Sequence, residues 1–397
     1  MPPMLSGIAD YSFELLPLIA EAAEVHVVCP VRPFRRLRVP SGVAVVPPTR
    51  FRPDRYDVVY HHLANNLHHE YVFESALRTP GVCVLHEIVL HHLIAYSMTE
   101  VGQQPERYRG ILEEEHGANG AQLASLKLRG VAGGLEKFLF PLVTQVIARS
   151  LGVVVHSLDS RERLRSLPGA RDVPIEVIPH HAGAATGDVA GLDRSAARRA
   201  LGLPEGAFLV GHLGFLTVPK QPVTLIEGFA RLHRERPDSL LVVVGADATG
   251  GATGRAARAR GLEQAVVFTG WVDLDRFFLY LKAVDAVVSL RYPTAGETSG
   301  PVARALAEGR VVIVNNYGSF ADLPRDVVRK VEVDGDQGAE LGTLLIELAR
   351  DPELRSRLEA NARAYASAVL DPGRCRDLYL EFGRRVTEGR RPRPATA

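Results

Sequence analysis

Short apolar runs recur along this chain, each followed by a polar or glycine-containing turn and then a segment with apolar residues at helical spacing. In the first half the runs fall at Val25–Cys29, Asp57–Asn66, Gly81–Leu93 (a strand running into a helix), Leu151–Ser157 and Ile175–His181. In the second half they fall at Phe208–Leu216, Ser239–Asp247, Ala265–Val272, Asp285–Leu290 and Val311–Val314. The runs are continuous rather than alternating, which is the pattern of parallel strands buried on both faces. Between them, Leu15, Leu16, Ile19 and Ala20 recur at helical spacing, residues 98–150 read as mainly helical, and further helices are expected at Asp159–Leu167, Val223–Glu235 and Asp371–Arg385. Regular βα alternation predicts doubly wound α/β domains. A small, flexible stretch from Ala182 to Gly191 interrupts the alternation, which then restarts. The reading is two Rossmann-like domains in tandem, 1–182 and 183–368, then a C-terminal helix over 369–390 placed to pack back on the first domain, and a tail over 391–397.

One step of the pattern is missing. Ser6-Gly7-Ile8-Ala9-Asp10 reads as a glycine loop of the kind that follows a strand in an α/β unit, yet only five residues precede it. The expectation is a late start or an absent first strand, which would open sheet edges and leave the Gly7 loop without support.

Composition narrows the class. A chain of 397 residues, 46% hydrophobic and 23% charged, is long enough for two globular cores. A net charge of +1 argues against a nucleic-acid partner. No apolar run reaches bilayer-spanning length and no signal peptide is visible, so a cytoplasmic protein is expected. Three scattered cysteines, Cys29, Cys83 and Cys375, suggest neither a disulfide framework nor a Cys-rich metal site. One local exception to the even charge is Val31–Asp57, where seven arginines between Arg32 and Arg55 stand among prolines. Such a patch reads either as a solvated surface or as a peripheral contact for anionic lipid head groups.

Two turns carry the candidate chemistry. Ser289–Val314 reads as strand, turn, helix, strand, with Thr298 or Ser299 able to cap the helix, Pro301 in its first turn, and Gly300 permitting close approach of a ligand. A helix N-terminus at the carboxyl end of a parallel strand suits a phosphate, and Glu297 stands just before it. The second turn, GHLGFLTVPKQP, places Lys220 beside Gly214 at the entry to a helix, where a cation suits a diphosphate. Each also admits a plainer reading, a βα corner with a solvated Glu and a surface Lys. Metal signals are poor: His86-Glu87…His91 has i, i+5 spacing rather than the i, i+4 of a zinc-protease helix. Asp273 or Asp275 reads as a helix N-cap and Asp334-Gly-Asp336 as a surface turn. No G-x-G-x-x-G follows a strand, which argues against a NAD enzyme. His86, at a strand's carboxyl end, is placed either to meet a sugar hydroxyl or to be satisfied by backbone.

Taken in order, PPMLSGIADYS, NNLHHEYVFESALRTPGVCVLHEIVLHH, VVVHS with VIPHH, GFLTVPK, FTGWV and RYPTAGETSG…GRVVIV resemble the GT-B glycosyltransferases, in the large retaining group often called GT4 and its GETSG-type bacterial branch. The resemblance spans nearly the whole chain. It implies transfer of a sugar from a nucleotide-diphosphate donor, held by the second domain, to an acceptor on the first, with retention and with neither metal nor cofactor. The acceptor would be a polysaccharide or lipid-linked intermediate, or a small metabolite. It further implies that Lys220 neutralises the departing diphosphate and that Thr298, Ser299 and Gly300 support the phosphates. Glu297 would take sugar or ribose hydroxyls, Gly7 and Gly214 would allow backbone approach, and His86 would contact the transferred sugar. Asp10, Asn65 and Asn66 would lie on the acceptor side. The family's usual arginine five residues before the lysine is Phe215 here; its second glutamate is replaced by Ala305, or by Arg304 when the turn is aligned from Gly309. These departures, with the absent strand, leave two other readings open: a degenerate nucleotide-sugar-binding relative, and an epimerase or phosphorylase on the same plan.

Overall fold

The computed structural model describes residues 7–30, 38–131 and 133–388. The chain divides into two units: one holds the residues up to Pro179, Thr294–Thr298 and the residues from Gly373 on, and the other holds His180–Pro293 and Ser299–Pro372. The division thus falls a few residues before the 182/183 boundary expected from composition. Ala182 is already tied into the second unit, its N–H donating to the Leu370 carbonyl at 2.9 Å.

The second unit is built on six strands: β7 (Leu209–Leu213), β8 (Leu240–Val244), β9 (Val266–Gly270), β10 (Ala286–Ser289), β11 (Val311–Asn315) and β12 (Arg329–Val331). Their order is β12-β11-β10-β7-β8-β9 and every pairing is parallel. The continuous apolar runs are explained by the two cores they fill. Leu209, Leu213, Val242, Val244, Val287 and Val312 face one, while Val210, Leu241, Val243, Val288, Val311 and Ile313 face the other. Residue parity along each strand decides the face, and both faces are dry. The order turns back between β7 and β10, so the crevice outside the carboxyl ends of those two strands is the topological switch point, where open α/β sheets hold ligands.

The first unit has β3 (Tyr60–Leu63), β4 (Val82–Leu85), β5 (Gly152–Val155) and β6 (Ile175–Val177) in one parallel sheet in that order, and β1 (Val25–Val28) paired in parallel with β2 (Val43–Val46) in a separate one. β2 lies in the Arg/Pro-rich stretch and was not legible as a strand, nor was the three-residue β12. The expected loop at Ser6–Asp10 differs too. Its described residues form the start of helix α1 (Gly7–Ala20). Tyr11 and Leu15, four apart, are both buried, and that apolar face favours the helix over the loop. Gly7 is exposed, and a Cβ there would touch nothing within 4 Å, so no close backbone approach requires glycine at this position.

The helix over Pro372–Thr387 belongs to the first unit, where Cys375, Tyr379 and Phe382 share a core with Tyr11, Val82 and Val84. All three cysteines are buried and none is in a disulfide. Among the described residues no helix is long and apolar enough to cross a membrane.

Candidate functional site

The strand–turn–helix–strand unit expected over Ser289–Val314 is present. β10 is followed, after the turn, by a helix over Gly300–Ala307, and Ser299 caps it by accepting from the Val302 N–H at 3.4 Å. Ser299 is the cap, not Thr298. At the end of β7, Gly214 has φ +98°, a conformation that favours glycine, and its N–H donates to the Val244 carbonyl at 2.8 Å. A Cβ on Gly214 would lie 3.3 Å from Pro301 Cγ and 3.5 Å from Lys220 Nζ. The glycine turn, the lysine and the helix start therefore converge at the switch point of one sheet. Tyr292 N–H donates to the Pro219 carbonyl at 2.8 Å, which fastens the end of β10 to the lysine turn.

Lys220 Nζ donates to the Phe215 carbonyl, folding the ammonium back over the turn. His212, buried on β7 with Nδ1 3.2 Å from the Val288 carbonyl, has its pKa depressed from 6.5 to about 3 by burial and then by the Lys220 charge. It stays neutral and adds no second cation. Arg304 is buried, its guanidinium 5.9 Å from the Phe278 ring centroid. It lies near Gly300, where a Cβ would stand 3.7 Å from its Nη1. The same Cβ would meet His180 Cε1 at 3.5 Å, so His180 belongs to this corner as well. Sequence reasoning missed His180 as a site residue, although VIPHH marked it, because it read His180 as the last strand of the first domain.

Gly214→Ala is expected to lower stability by about 1–3 kcal/mol, the usual strain of a side chain in a disfavoured φ region. Its methyl would also crowd Lys220 and Pro301. Nucleotide affinity measured by calorimetry should fall with it, and unchanged affinity would place the ligand elsewhere.

Glu297 and Thr298 lie in the segment that groups with the first unit. Glu297 Oε2 accepts from Thr294 Oγ1 and from the Ala295 N–H, both at 2.8 Å, so this carboxylate braces its own turn. The turn is in turn held by the Ile88 N–H on the Ala295 carbonyl and by Ser160 Oγ on the Gly296 carbonyl, each at 2.9 Å.

Elsewhere in the first unit the expected acceptor-side residues are committed to backbone. Asn65 Oδ1 accepts from the Leu93 N–H at 2.9 Å, and Asn66 Oδ1 caps a short turn through the His68 N–H at 3.1 Å. Asp10 is half-buried within α1. These geometries favour local capping for both amides over ligand contact, for the reason that short amide side chains readily satisfy nearby N–H groups. Asp273 and Asp336 are helix N-caps, accepting from Arg276 N–H at 2.8 Å and Ala339 N–H at 2.9 Å. The surface-turn reading of Asp334-Gly-Asp336 therefore gains a capping role.

His86 is buried in a chain of three histidines. His62 Nδ1 is 3.1 Å from His86 Nε2, His86 Nδ1 is 3.2 Å from His156 Nε2, and His156 Nδ1 is 2.8 Å from the Ile178 carbonyl. The carbonyl can only accept, so with all three rings neutral His156 donates to it, His86 donates to His156 and His62 donates to His86. Tyr11 packs edge-on against His86, with centroids 5.0 Å apart, and its hydroxyl pairs with that of Tyr379 at 2.8 Å. His91, the other member of the zinc-like pattern, faces Tyr108 Oη at 2.8 Å and the Phe140 carbonyl at 3.2 Å. Among the described residues no group of three or more His, Cys, Asp or Glu side chains is placed to hold a metal ion.

Burial, then the neighbouring histidines, depresses the His62 pKa from 6.5 to about 3. Above pH 6.5 the ring is neutral folded and unfolded, and its contribution is intact. As pH falls from 6.5 toward 3 the unfolded chain takes up the proton first, so stability drops by up to about 1.4 kcal/mol per pH unit. Denaturant titrations at pH 7.5, 6 and 5 should show this slope and should show it flattened in His62→Phe.

A doubly wound parallel sheet with a glycine turn, a lysine and a capped helix start at its switch point defines a Rossmann-like α/β unit. Comparison with known proteins makes the class specific. Residues 193–365 match the family of glycosyl transferases group 1. Sucrose-phosphate synthase from Thermosynechococcus elongatus shares the fold at a TM-score of 0.65 and 15% identity, over 95% of this chain and 92% of that one. HepE of Anabaena, solved in complex with UDP and glucose, does so at 0.63 and 18%, over 96% of each chain. A D-inositol 3-phosphate glycosyltransferase of Thermomonospora curvata is 31% identical over 187 residues, 44% of this chain and 42% of its own length. One from Geodermatophilus obscurus is 32% identical over 238 residues, 56% and 50%. The chain spans about half the length of the curated relatives it matches. The fold is that of the GT-B glycosyltransferases, and residues 193–365 match the group 1 family.

Proposed function

We propose that the protein is a glycosyltransferase that takes its sugar from a nucleotide-diphosphate donor bound at the switch point of the second unit. The observation that carries this is the convergence of Gly214, Lys220 and the Ser299-capped helix start, with His180 and Arg304 beside them. Lys220 meets the diphosphate and stabilises the charge that develops as it leaves. Gly214 and Gly300 let the phosphates approach backbone, and the helix N-terminus adds its dipole. Retention, and a reaction in which the donor phosphate rather than a metal or a side-chain base assists the acceptor, complete the proposal. UDP is the first nucleotide to test because HepE binds it, and D-inositol 3-phosphate is the first acceptor to test because the curated relatives are named for it. A cytoplasmic location is part of the reading and is supported by three buried cysteines that form no disulfide.

A thermal-shift panel of UDP, GDP, ADP and TDP with their sugars tests the donor side. Ligand at ~100 times its Kd adds roughly 2.7 kcal/mol to stability. One nucleotide should shift the wild type and lose its effect in Lys220→Ala. No shift with any of them would sink the reading. Release of nucleoside diphosphate only when an acceptor is added separates transfer from epimerase or phosphorylase chemistry. Of the basic patch, Arg32, Arg35 and Arg36 lie outside the described residues, while Arg38, Arg50, Arg52 and Arg55 are exposed. A membrane-facing role for them predicts salt-sensitive binding to anionic vesicles.

A further inference from the structure

The turn after β7, Gly214 to Gln221, carries one cation, Lys220. Phe215, whose carbonyl receives that ammonium, puts an apolar side chain beside it and is 46% exposed. One ammonium leaves most of a diphosphate's charge unmatched, and the charge grows during transfer. As the sugar's C1–O bond breaks, its electron pair goes to the terminal phosphate. The acceptor oxygen forms the new bond to C1 and passes its proton to that phosphate. Groups already in place where this charge develops are what stabilise it.

The neighbouring strand brings a second cation to the same place. Arg291 follows β10, the parallel partner of β7, and so emerges at the crevice that Gly214 borders. Its N–H donates to Asn315 Oδ1 at 2.6 Å, and Asn315, fully buried at the end of β11, is held in turn by its Nδ2 donating to Gln337 Oε1 at 2.9 Å. The next N–H, on Tyr292, is the one bonded to the Pro219 carbonyl beside Lys220. Residue 291 is thus fixed between the lysine turn and β11. Its guanidinium lies over the Phe320 ring, 5.7 Å from the centroid. A ring on the face of a guanidinium does not compete with the in-plane N–H fork, the edge that recognises phosphate. The environment of His212 shows the same convergence. Its pKa is depressed by burial, then by the Lys220 charge, and last by the Arg291 charge, against the opposing bond to Val288, so both cations act on one buried imidazole. We propose that Arg291 is the second cation of the donor site, meeting the terminal phosphate through its fork while Lys220 meets it from the other strand. This rests on the donor reading above and adds to it a residue of β10, so the leaving group is held from both sides of the switch point.

The test is calorimetry on the full chain, as wild type, Arg291→Met and Arg291→Lys, with UDP, GDP, ADP and TDP and with the matching monophosphates. Methionine keeps an unbranched stem against Phe320 and removes the charge. For the nucleotide that the wild type binds, Arg291→Met should lose about 10- to 100-fold in diphosphate affinity, the scale of a hydrogen bond to a charged group. The monophosphate, which lacks the terminal phosphate, should lose far less. Arg291→Lys should recover part of the diphosphate affinity, because it returns the charge without the fork. Equal losses for mono- and diphosphate would make Arg291 a brace of the turn, and an unchanged diphosphate affinity would place it away from the ligand. Either result overturns the inference while the donor reading stands. A wild type that binds none of the four diphosphates removes both.

Discussion

Lys220→Ala is expected to lower turnover about a hundredfold or more, the scale seen when a preorganised group that stabilises developing charge is removed. The ammonium is held where it can act: Gly214 leaves room for Nζ, and the Phe215 carbonyl receives it when no anion is present. Replacing that carbonyl by a diphosphate exchanges a neutral acceptor for a charged one, and charge-assisted bonds are roughly twice as strong. The leaving group carries more charge in the transition state than in the bound donor, so kcat should fall more than KM rises. Lys220→Arg should recover only part of the rate, since a planar fork does not reproduce a point charge in a turn this tight. Folding should be unaffected, because the lysine is not among the buried charged residues. A mutant with wild-type turnover would remove the donor-site argument altogether.

The second unit was far more legible than the first. Its strands are continuous apolar runs because both faces are buried, and its turns carry Gly214, Lys220 and Gly300 at recognisable places between strand and helix. Those residues are determined locally, by backbone conformation and capping, and local chemistry is what a sequence shows. Glu297 was placed by the same logic, yet the structure uses it to brace Thr294 and Ala295. Asn65 and Asn66 likewise looked like ligand contacts, and both cap nearby N–H groups. A side chain's polarity marks it as a hydrogen-bonder but not whether its partner is a ligand or the next residue but one. The histidine chain was invisible for another reason. His62, His86 and His156 come from the ends of β3, β4 and β5, so only strand order brings them together.

Asp285→Ala should produce the largest loss of stability, about 3–5 kcal/mol, the cost of removing one partner of a buried ion pair. Asp285 Oδ2 accepts from Arg198 Nη2 and from the Leu209 N–H, both at 2.7 Å. Arg198 also donates to the Ala283 carbonyl at 2.8 Å and the Ala207 carbonyl at 3.1 Å, and its side chain is only 5% exposed. The pair therefore fastens the start of β7 to the start of β10, the two strands whose opposite ends frame the switch point. Losing Asp285 strands a guanidinium in the core and leaves the Leu209 N–H without its carboxylate. Urea unfolding followed by circular dichroism reads the loss, since Trp271, the chain's single tryptophan, is already 55% exposed in the folded unit. Arg199→Ala is the matched control: Arg199 meets Glu205 at 3.0 Å, but the two side chains are 60% and 51% exposed, and surface pairs contribute ~0–1 kcal/mol. A midpoint for Asp285→Ala no lower than that of Arg199→Ala would show that the pair does not hold the strands together. A cost of several kcal/mol, with the unit still folded, predicts weaker nucleotide binding as well, since the ligand then has to restore the β7–β10 geometry from its own binding energy.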